Sequence, residues 1–170
     1  MRTPDPIENQ IRGYDPGGKR PLGPYSALTG VFNVGFSAAL ALAARRRGEL
    51  PERYSVFDLV TVGIATQKVS RLIGKDKVTG FLRAPFVEYE EPAGHGEVSE
   101  EPRGDGLRYA VGELLICPYC LSQWVVGAFV AGMVGAPRPT RLLAFMFTAQ
   151  AGADFLQLAY KAGEDGLEKL

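Results

Sequence analysis

Two cysteines, Cys117 and Cys120, stand three positions apart as C-P-Y-C at the head of a long apolar run that continues to Ala136. Three kinds of chemistry fit that spacing. Thiols in a CxxC at a helix N-terminus are acidified by the helix dipole, which suits thiol–disulfide exchange. Two thiolates are also half of a tetrahedral metal site. His95, the single histidine, supplies a third candidate ligand from a G-H-G turn. A fourth would have to be an Asp or Glu, or come from a second copy. The third reading is structural: Pro118 suits a first helical turn, the small thiols pack tightly, and Trp124 anchors the helix at a membrane surface. The expectation is no cofactor, with Zn²⁺ as the alternative ion.

C-P-Y-C is also the glutaredoxin tetrapeptide. A thioredoxin-type fold needs a strand before the motif and more sheet after it. Here an apolar span follows, and then another helix.

Asp154 is the second chemical signal. It lies inside the apolar segment Leu142–Tyr160, with Gln150 and Gln157 at i−4 and i+3 on its face. A central Asp costs about 2.5–3.5 kcal/mol on membrane-insertion scales, so it should face other helices. Lys68 and Arg71 are the charged candidates to meet it, and Asn33 or Gln123 the neutral ones. Such a cluster serves either helix–helix bonding or a conduit or binding role. A third signal is basic. Lys75, Lys77 and Arg83 continue from Arg71 and are candidates to meet anionic headgroups, a partner, or the acidic half of the following loop, with Glu90 as an acid for Arg83.

The elements that must position these groups are legible as charge-free runs. The 170 residues carry a formal net charge of zero, so no global field argues for nucleic acid. The charges are segregated, which suits a membrane protein with a polar loop. A lone pair of cysteines excludes a disulfide framework. The N-terminus lacks the early apolar region of a signal peptide. Residues 1–26, rich in Pro and Gly, read as an irregular tail. Ala27–Ala44 is long enough to span a hydrocarbon core of about 30 Å. Pro51-Glu52 suits a helix start, and Val56 onward reads as a helix that turns polar at Thr66. It either spans or lies in the interface. Residues 77–108 form a polar insertion in which FVEYEE and EVSEE flank PAGHG as a small β-hairpin. Leu114–Ala136 and Leu142–Tyr160 are further spans, joined antiparallel through PRPT, where two prolines interrupt a helix. Residues 27–161 thus form the helical domain and 162–170 a C-terminal tail. Small residues at four-residue spacing are the expected contact stripes: Gly35, Ala39 and Ala43; Gly127, Ala131 and Gly135; Ala149 and Ala153.

Three blocks resemble a known family: ATQKVSRLIGKDKVTGFLRAPFVEYEE, GEVSEEPRGDGLRYAVGELLICPYCLSQWV and APRPTRLLAFMFTAQAGADFLQLAYK. They are similar to bacterial domain-of-unknown-function family 1360. The resemblance runs over residues 54–161. Its recurring elements fall on Arg71, Lys75, Asp76, Val78 and Thr79; on Arg83–Phe86; on Gly112, Glu113, Cys117, Pro118, Cys120 and Trp124; and on Ala153, Asp154, Leu156 and Gln157. It implies a small membrane protein without an established activity, with a sporulation label on some relatives.

The expected fold is an all-α membrane protein with three clear spans, one short spanning or interfacial helix, and a hairpin in a polar insertion. The surplus of Lys and Arg on the insertion's side places that side in the cytoplasm. The expected role is a membrane-embedded scaffold or interaction module rather than an enzyme. Its partners are the lipid bilayer and another protein or a second copy. The alternative is a cytoplasm-facing thiol-redox or metal-binding membrane protein.

Overall fold

The computed structural model of the chain describes Tyr14, residues 20–47 and residues 53–167. Its elements are α1 (Leu22–Arg47), α2 (Val56–Gly74), a 3₁₀ turn (Lys77–Thr79), α3 (Gly80–Arg83), β1 (Val87–Gly94), β2 (Glu97–Pro102), α4 (Gly106–Ile116), α5 (Pro118–Gly135) and α6 (Pro137–Leu167). α1, α2, α5 and α6 form a bundle. The hairpin, α3 and α4 form a cap at one end of it.

Three of the long helices start where the local sequence favours a helix start. Ser55 precedes α2, and its hydroxyl accepts the Asp58 N–H at 3.0 Å. Pro118 opens α5 behind Cys117. Pro137 and Pro139 sit in the first turn of α6, where an amide hydrogen would have no intrahelical partner. PRPT therefore begins a helix and does not interrupt one. Ala136 alone separates α5 from α6.

Among the described residues three helices are long and apolar enough to cross a membrane: Leu22–Arg46, Pro118–Gly135 and Pro137–Leu167. Their limits differ from the expected ones. α1 begins at Leu22, so the end of the expected tail 1–26 is helical; Tyr14 apart, residues 1–19 lie outside the described part. α5 begins at Pro118, because Leu114–Ile116 belong to α4 and Cys117 is extended between them. α6 continues through Leu167, so most of the expected tail 162–170 is helix, and the rest lies outside the described residues. Pro51-Glu52 lies outside them too.

α2 packs along the length of the bundle rather than across its end. Arg141 holds Asp58 with two bonds of 2.8 and 3.0 Å. Thr148 donates to the Thr61 carbonyl at 2.8 Å, and Lys68 meets Asp154 at 2.5 Å. These pairs advance together, so α2 and α6 are parallel. Gly74, at the far end of α2, packs on the start of α5: a Cβ there would stand 2.9 Å from the Leu115 carbonyl oxygen and 3.2 Å from Leu121. α2 and α5 are therefore antiparallel. α1 runs parallel to α5, with Gly127 under the Phe32 and Phe36 rings and Gly135 against Ala43.

Small residues set these contacts, though not always the expected ones. Gly127, Gly135 and Ala43 lie at interfaces. Gly35 and Ala39 face outward, and α1 presents Phe32 and Phe36 instead. On α6 the buried alanines are Ala144 and Ala151, while Ala149 and Ala153 are exposed. α2 contributes the most closely packed face, Thr61, Ala65, Ser70 and Gly74. Ala65, Phe129 and Ala144 meet at the centre.

The hairpin is as expected. β1 and β2 are antiparallel, and Gly94 pairs with Glu97 across a two-residue turn. His95 and Gly96 both have positive φ, 48° and 83°, as a type I′ turn requires. The hairpin is fixed to the bundle by its second strand. Lys77 N–H donates to Gly96 O and Val98 N–H to Lys75 O, each at 2.9 Å. α4 lies against the base of the hairpin at Gly112, where a Cβ would be 2.7 Å from the Phe86 carbonyl oxygen.

Arg83 is the hub of the cap and is fully buried. Its Nε and Nη2 donate to the Glu100 carboxylate at 2.5 and 3.2 Å. Its remaining donors reach the Ile73 carbonyl at 2.5 Å, the Thr79 hydroxyl at 2.9 Å and the Asp76 carbonyl at 3.0 Å. All five guanidinium hydrogens thus have acceptors. The cation also sits at the C-terminal end of α2, where the helix dipole favours it. The expected acid, Glu90, accepts instead from Ser99 at 3.1 Å. Arg83 is therefore no headgroup contact: its charge is sealed inside the cap.

Removing one partner of a buried pair strands the other charge. Arg83→Met should destabilise the fold by about 3–5 kcal/mol, and Arg83→Met with Glu100→Leu should recover part of that. Thermal unfolding of the purified variants in mild detergent checks it. Recovery from Glu90 substitutions instead would contradict the assigned pair.

Candidate functional site

Two clefts flank the cap, and between them they gather the cysteines, Trp124, His95 and the Asp154 cluster singled out in the sequence. The first lies between α1, α4 and α5 and has a volume of about 630 Å³. Cys117, Cys120, Glu113, Trp124 and Tyr25 line it. Cys117 owes its place to the break between α4 and α5, with φ −103° and ψ 98°. Its Sγ accepts the Cys120 N–H at 3.2 Å, so the thiol caps α5 as a serine hydroxyl would. Cys117 is half-buried and Cys120 exposed; both are free. Trp124 packs edge-on against Phe32, with ring centroids 5.3 Å apart.

Glu113 brings charge to this cleft. The Tyr25 hydroxyl donates to its carboxylate. On the same helix, the Glu113 charge, with burial and hydrogen bonding, pushes the Tyr109 phenol above its ordinary value. The nearby Arg20 cation opposes that effect. The sequence showed Glu113 only as part of a motif, and Tyr25 lay within the expected tail.

The second cleft, of about 780 Å³, lies between α2, α6 and the hairpin turn. Lys68, Arg71, Asp154, Gln150 and Gln157 all line it. Lys68 is the group that meets Asp154, with side chains 12% and 44% exposed. Arg71 turns away to Glu97, its Nη2 reaching both carboxylate oxygens at 2.6 Å. Gln150 and Gln157 are exposed. Lys75 is half-buried at the end of α2, and Lys77 is exposed beside it. Asn33 and Gln123, the neutral alternatives, lie elsewhere and do not meet Asp154.

His95 lines this second cleft, whereas the cysteines line the first. The three candidate metal ligands therefore do not converge. Among the described residues no group of three or more His, Cys, Asp or Glu is placed to hold a metal ion.

The acidic face of the hairpin is a further feature. Glu88 stands directly across from Glu101. The nearby Glu90 charge chiefly, with Glu88 adding, raises the Glu101 carboxyl above its ordinary range.

The profile of a family described as "Protein of unknown function (DUF1360)" matches residues 61–160. The chain belongs to this family. It is also 26% identical over 102 residues to "Sporulation protein YjcA" of Bacillus subtilis (strain 168), a match covering 58% of this chain and 86% of that protein. No solved structure matches.

The motif positions that carry the family resemblance converge on the cap end of the bundle. Arg71 and Arg83 bind two of the three acids of β2, Glu97 and Glu100. The Thr79 hydroxyl donates to Leu72 O and Asp76 O. Ala84 O and Pro85 O accept from Arg103 and Arg108. Gly112 permits the close approach of α4. Asp154 holds Lys68. In this chain those motifs build one structural unit, with Cys117 and Cys120 at its edge. Asp58–Arg141, at the other end, escaped sequence reading, because nothing local relates residues so far apart in the chain.

The thiol geometry has a direct readout. In Cys117→Ser, Cys120 should react with a maleimide faster than Cys117 does in Cys120→Ser, and Cys117→Ser should keep the helix cap and the melting temperature. Equal rates would contradict the assigned exposures. Timed alkylation of the two variants across pH measures this.

Proposed function

We propose that the chain is a multi-pass membrane protein that acts as a non-enzymatic scaffold, holding a rigid polar cap at the cytoplasmic surface. The observation that carries this reading is the exposed apolar belt. Of the most apolar window in each candidate span, only 6% in α1, 28% in α5 and 11% in α6 is buried inside the chain. Side chains such as Val34, Leu42, Leu142 and Phe145 face outward. A soluble bundle normally presents a polar face instead.

α2 is part of the membrane bundle in this reading. Its 19 residues span about 28 Å at 1.5 Å per residue. Asp58–Arg141 then lies near one surface and Lys68–Asp154 toward the other. With four crossings, the hairpin and the end of α6 share a side. Most of the Lys and Arg residues lie on that side, which supports a cytoplasmic cap.

The scaffold role draws support from how the cap is held. Arg83, Arg71 and the main-chain bonds from Lys75 and Lys77 lock the hairpin to α2. A surface fixed this firmly can present the hairpin's acidic strand to a partner with little ordering cost. The printed name of the Bacillus relative makes sporulation a process in which to look for one.

A second reading rests on the shared cleft of Cys117, Cys120 and Glu113: a membrane thiol-redox protein, or a metal carrier if two copies pool their ligands. An alkylation midpoint well below the ordinary thiol value of about 8.5 would favour it.

Sidedness tests the leading reading. In a Cys117→Ser, Cys120→Ser background, Glu91→Cys should react with an impermeant maleimide in inverted vesicles but not in intact cells. Tyr54→Cys, at the opposite end, should show the reverse. The opposite pattern would overturn the cytoplasmic cap.

A further inference from the structure

Cys117 and Cys120 are the nucleophilic side chains that the scaffold reading leaves unused. Both are free, and both line the cleft between α1, α4 and α5. The extended backbone of Cys117 puts its Sγ over the first turn of α5, where it accepts the Cys120 N–H at 3.2 Å. The Cys120 thiol in turn hydrogen-bonds to Cys117. The two sulfurs therefore stand side by side at the start of one helix. Cys120 is exposed and Cys117 half-buried, so an ion can reach the pair from outside. A site of three or four ligands does not form around them. His95 lines the other cleft, and among the described residues no group of three or more His, Cys, Asp or Glu is placed to hold a metal ion.

We propose that Cys117 and Cys120 of a single chain bind one Cu(I) ion. This sharpens the thiol reading given above, on which it rests, and removes its need for a second copy. Cu(I) is soft and selects thiolate sulfur. Two thiolates in a near-linear arrangement satisfy it, whereas structural Zn²⁺ takes four ligands. Binding forms two S–Cu bonds and releases two thiol protons to solvent, with no change of oxidation state. Two features favour the thiolates, and a third preorganises them. The N-terminal end of the α5 dipole attracts negative charge. The Cys120 N–H already donates to Cys117 Sγ, and a charged acceptor strengthens that bond. Pro118 fixes the backbone in the first turn between the two ligands, so little ordering remains for the ion to impose. Glu113 opposes the thiolate charge and Arg20, in the same cleft, favours it. A cytoplasmic position keeps both thiols reduced.

Trp124 is the single tryptophan of the chain and lines the same cleft, so it reports on the site without labelling. The full chain, purified in mild detergent and kept reduced without oxygen, is titrated with Cu(I) against bicinchoninate, a coloured Cu(I) chelator. It should take one Cu(I) per chain, with a change in Trp124 emission that saturates at the same ratio. Cys117→Ser and Cys120→Ser should each weaken binding by at least about 100-fold, since losing even an outer-shell partner typically costs about 10–100-fold. His95→Ala should leave binding unchanged, and an equal amount of Zn²⁺ should not displace the ion. No binding, binding retained in both serine variants, or displacement by Zn²⁺ overturns the inference. One ion per two chains overturns it in favour of pooled ligands. Maleimide labelling of the same reduced samples separates the two levels of the argument. Thiols that react but bind no Cu(I) refute the metal site alone, whereas thiols that neither react nor bind refute the thiol reading and the site with it.

Discussion

The outer faces of this bundle carry Val, Leu, Phe and Met, and those faces cannot rest in water without a large cost in exposed apolar area. That single constraint organises the rest of the structure. In the proposed bilayer placement, burial of apolar surface no longer drives helices together, because lipid tails are as apolar as Leu. Close backbone approach and polar bonds between helices must do so. The interfaces have that character. Gly127 admits Phe32, and at Gly132 a Cβ would be 2.7 Å from the Thr140 hydroxyl. α2 and α6 join through Asp58–Arg141, Thr61–Thr148 and Lys68–Asp154.

The cap obeys different physics. Among the described residues it has a modest apolar core, chiefly Val87, Val98 and Ala110. Its uniqueness comes from a buried guanidinium with every donor used. A buried ion pair contributes little against a well-packed apolar alternative, but it punishes any arrangement that leaves one charge alone. Arg83 has satisfied acceptors only where the end of α2, the 3₁₀ turn and β2 meet. The pair therefore selects one docking of the hairpin. A rigid cap above a lipid-embedded bundle is what the proposed scaffold needs.

Much of the fold was legible because it follows local rules. The charge-free runs gave the three candidate spans, the G-H-G turn gave the hairpin, and the polar stripe of Asp154 pointed to Lys68 or Arg71, of which Lys68 is the partner. What was hidden depends on distant geometry. Arg83 read as a cation for headgroups, a partner or the acidic loop because its neighbours Lys75 and Lys77 are basic, and the sequence does not distinguish Glu90 from Glu100 as its acid. The stripe at Gly35 and Ala39 read as a contact face. The larger Phe32 and Phe36 took that role because Gly127 on α5 had room for their rings. PRPT read as an interruption because prolines end helices, yet the same residues are favourable in a first turn. The two clefts were invisible as such. Each draws its lining from elements far apart in sequence, which is why Cys117 and His95 read as neighbours in chemistry but lie on different sides of the cap.

The most direct test of the account is where the chain partitions. Membranes from expressing cells are washed with alkaline carbonate and then extracted with detergent. The bilayer placement predicts that the protein stays with the membrane pellet through the wash and is released only by detergent. Release by carbonate alone, yielding a monodisperse protein in plain buffer, would contradict it.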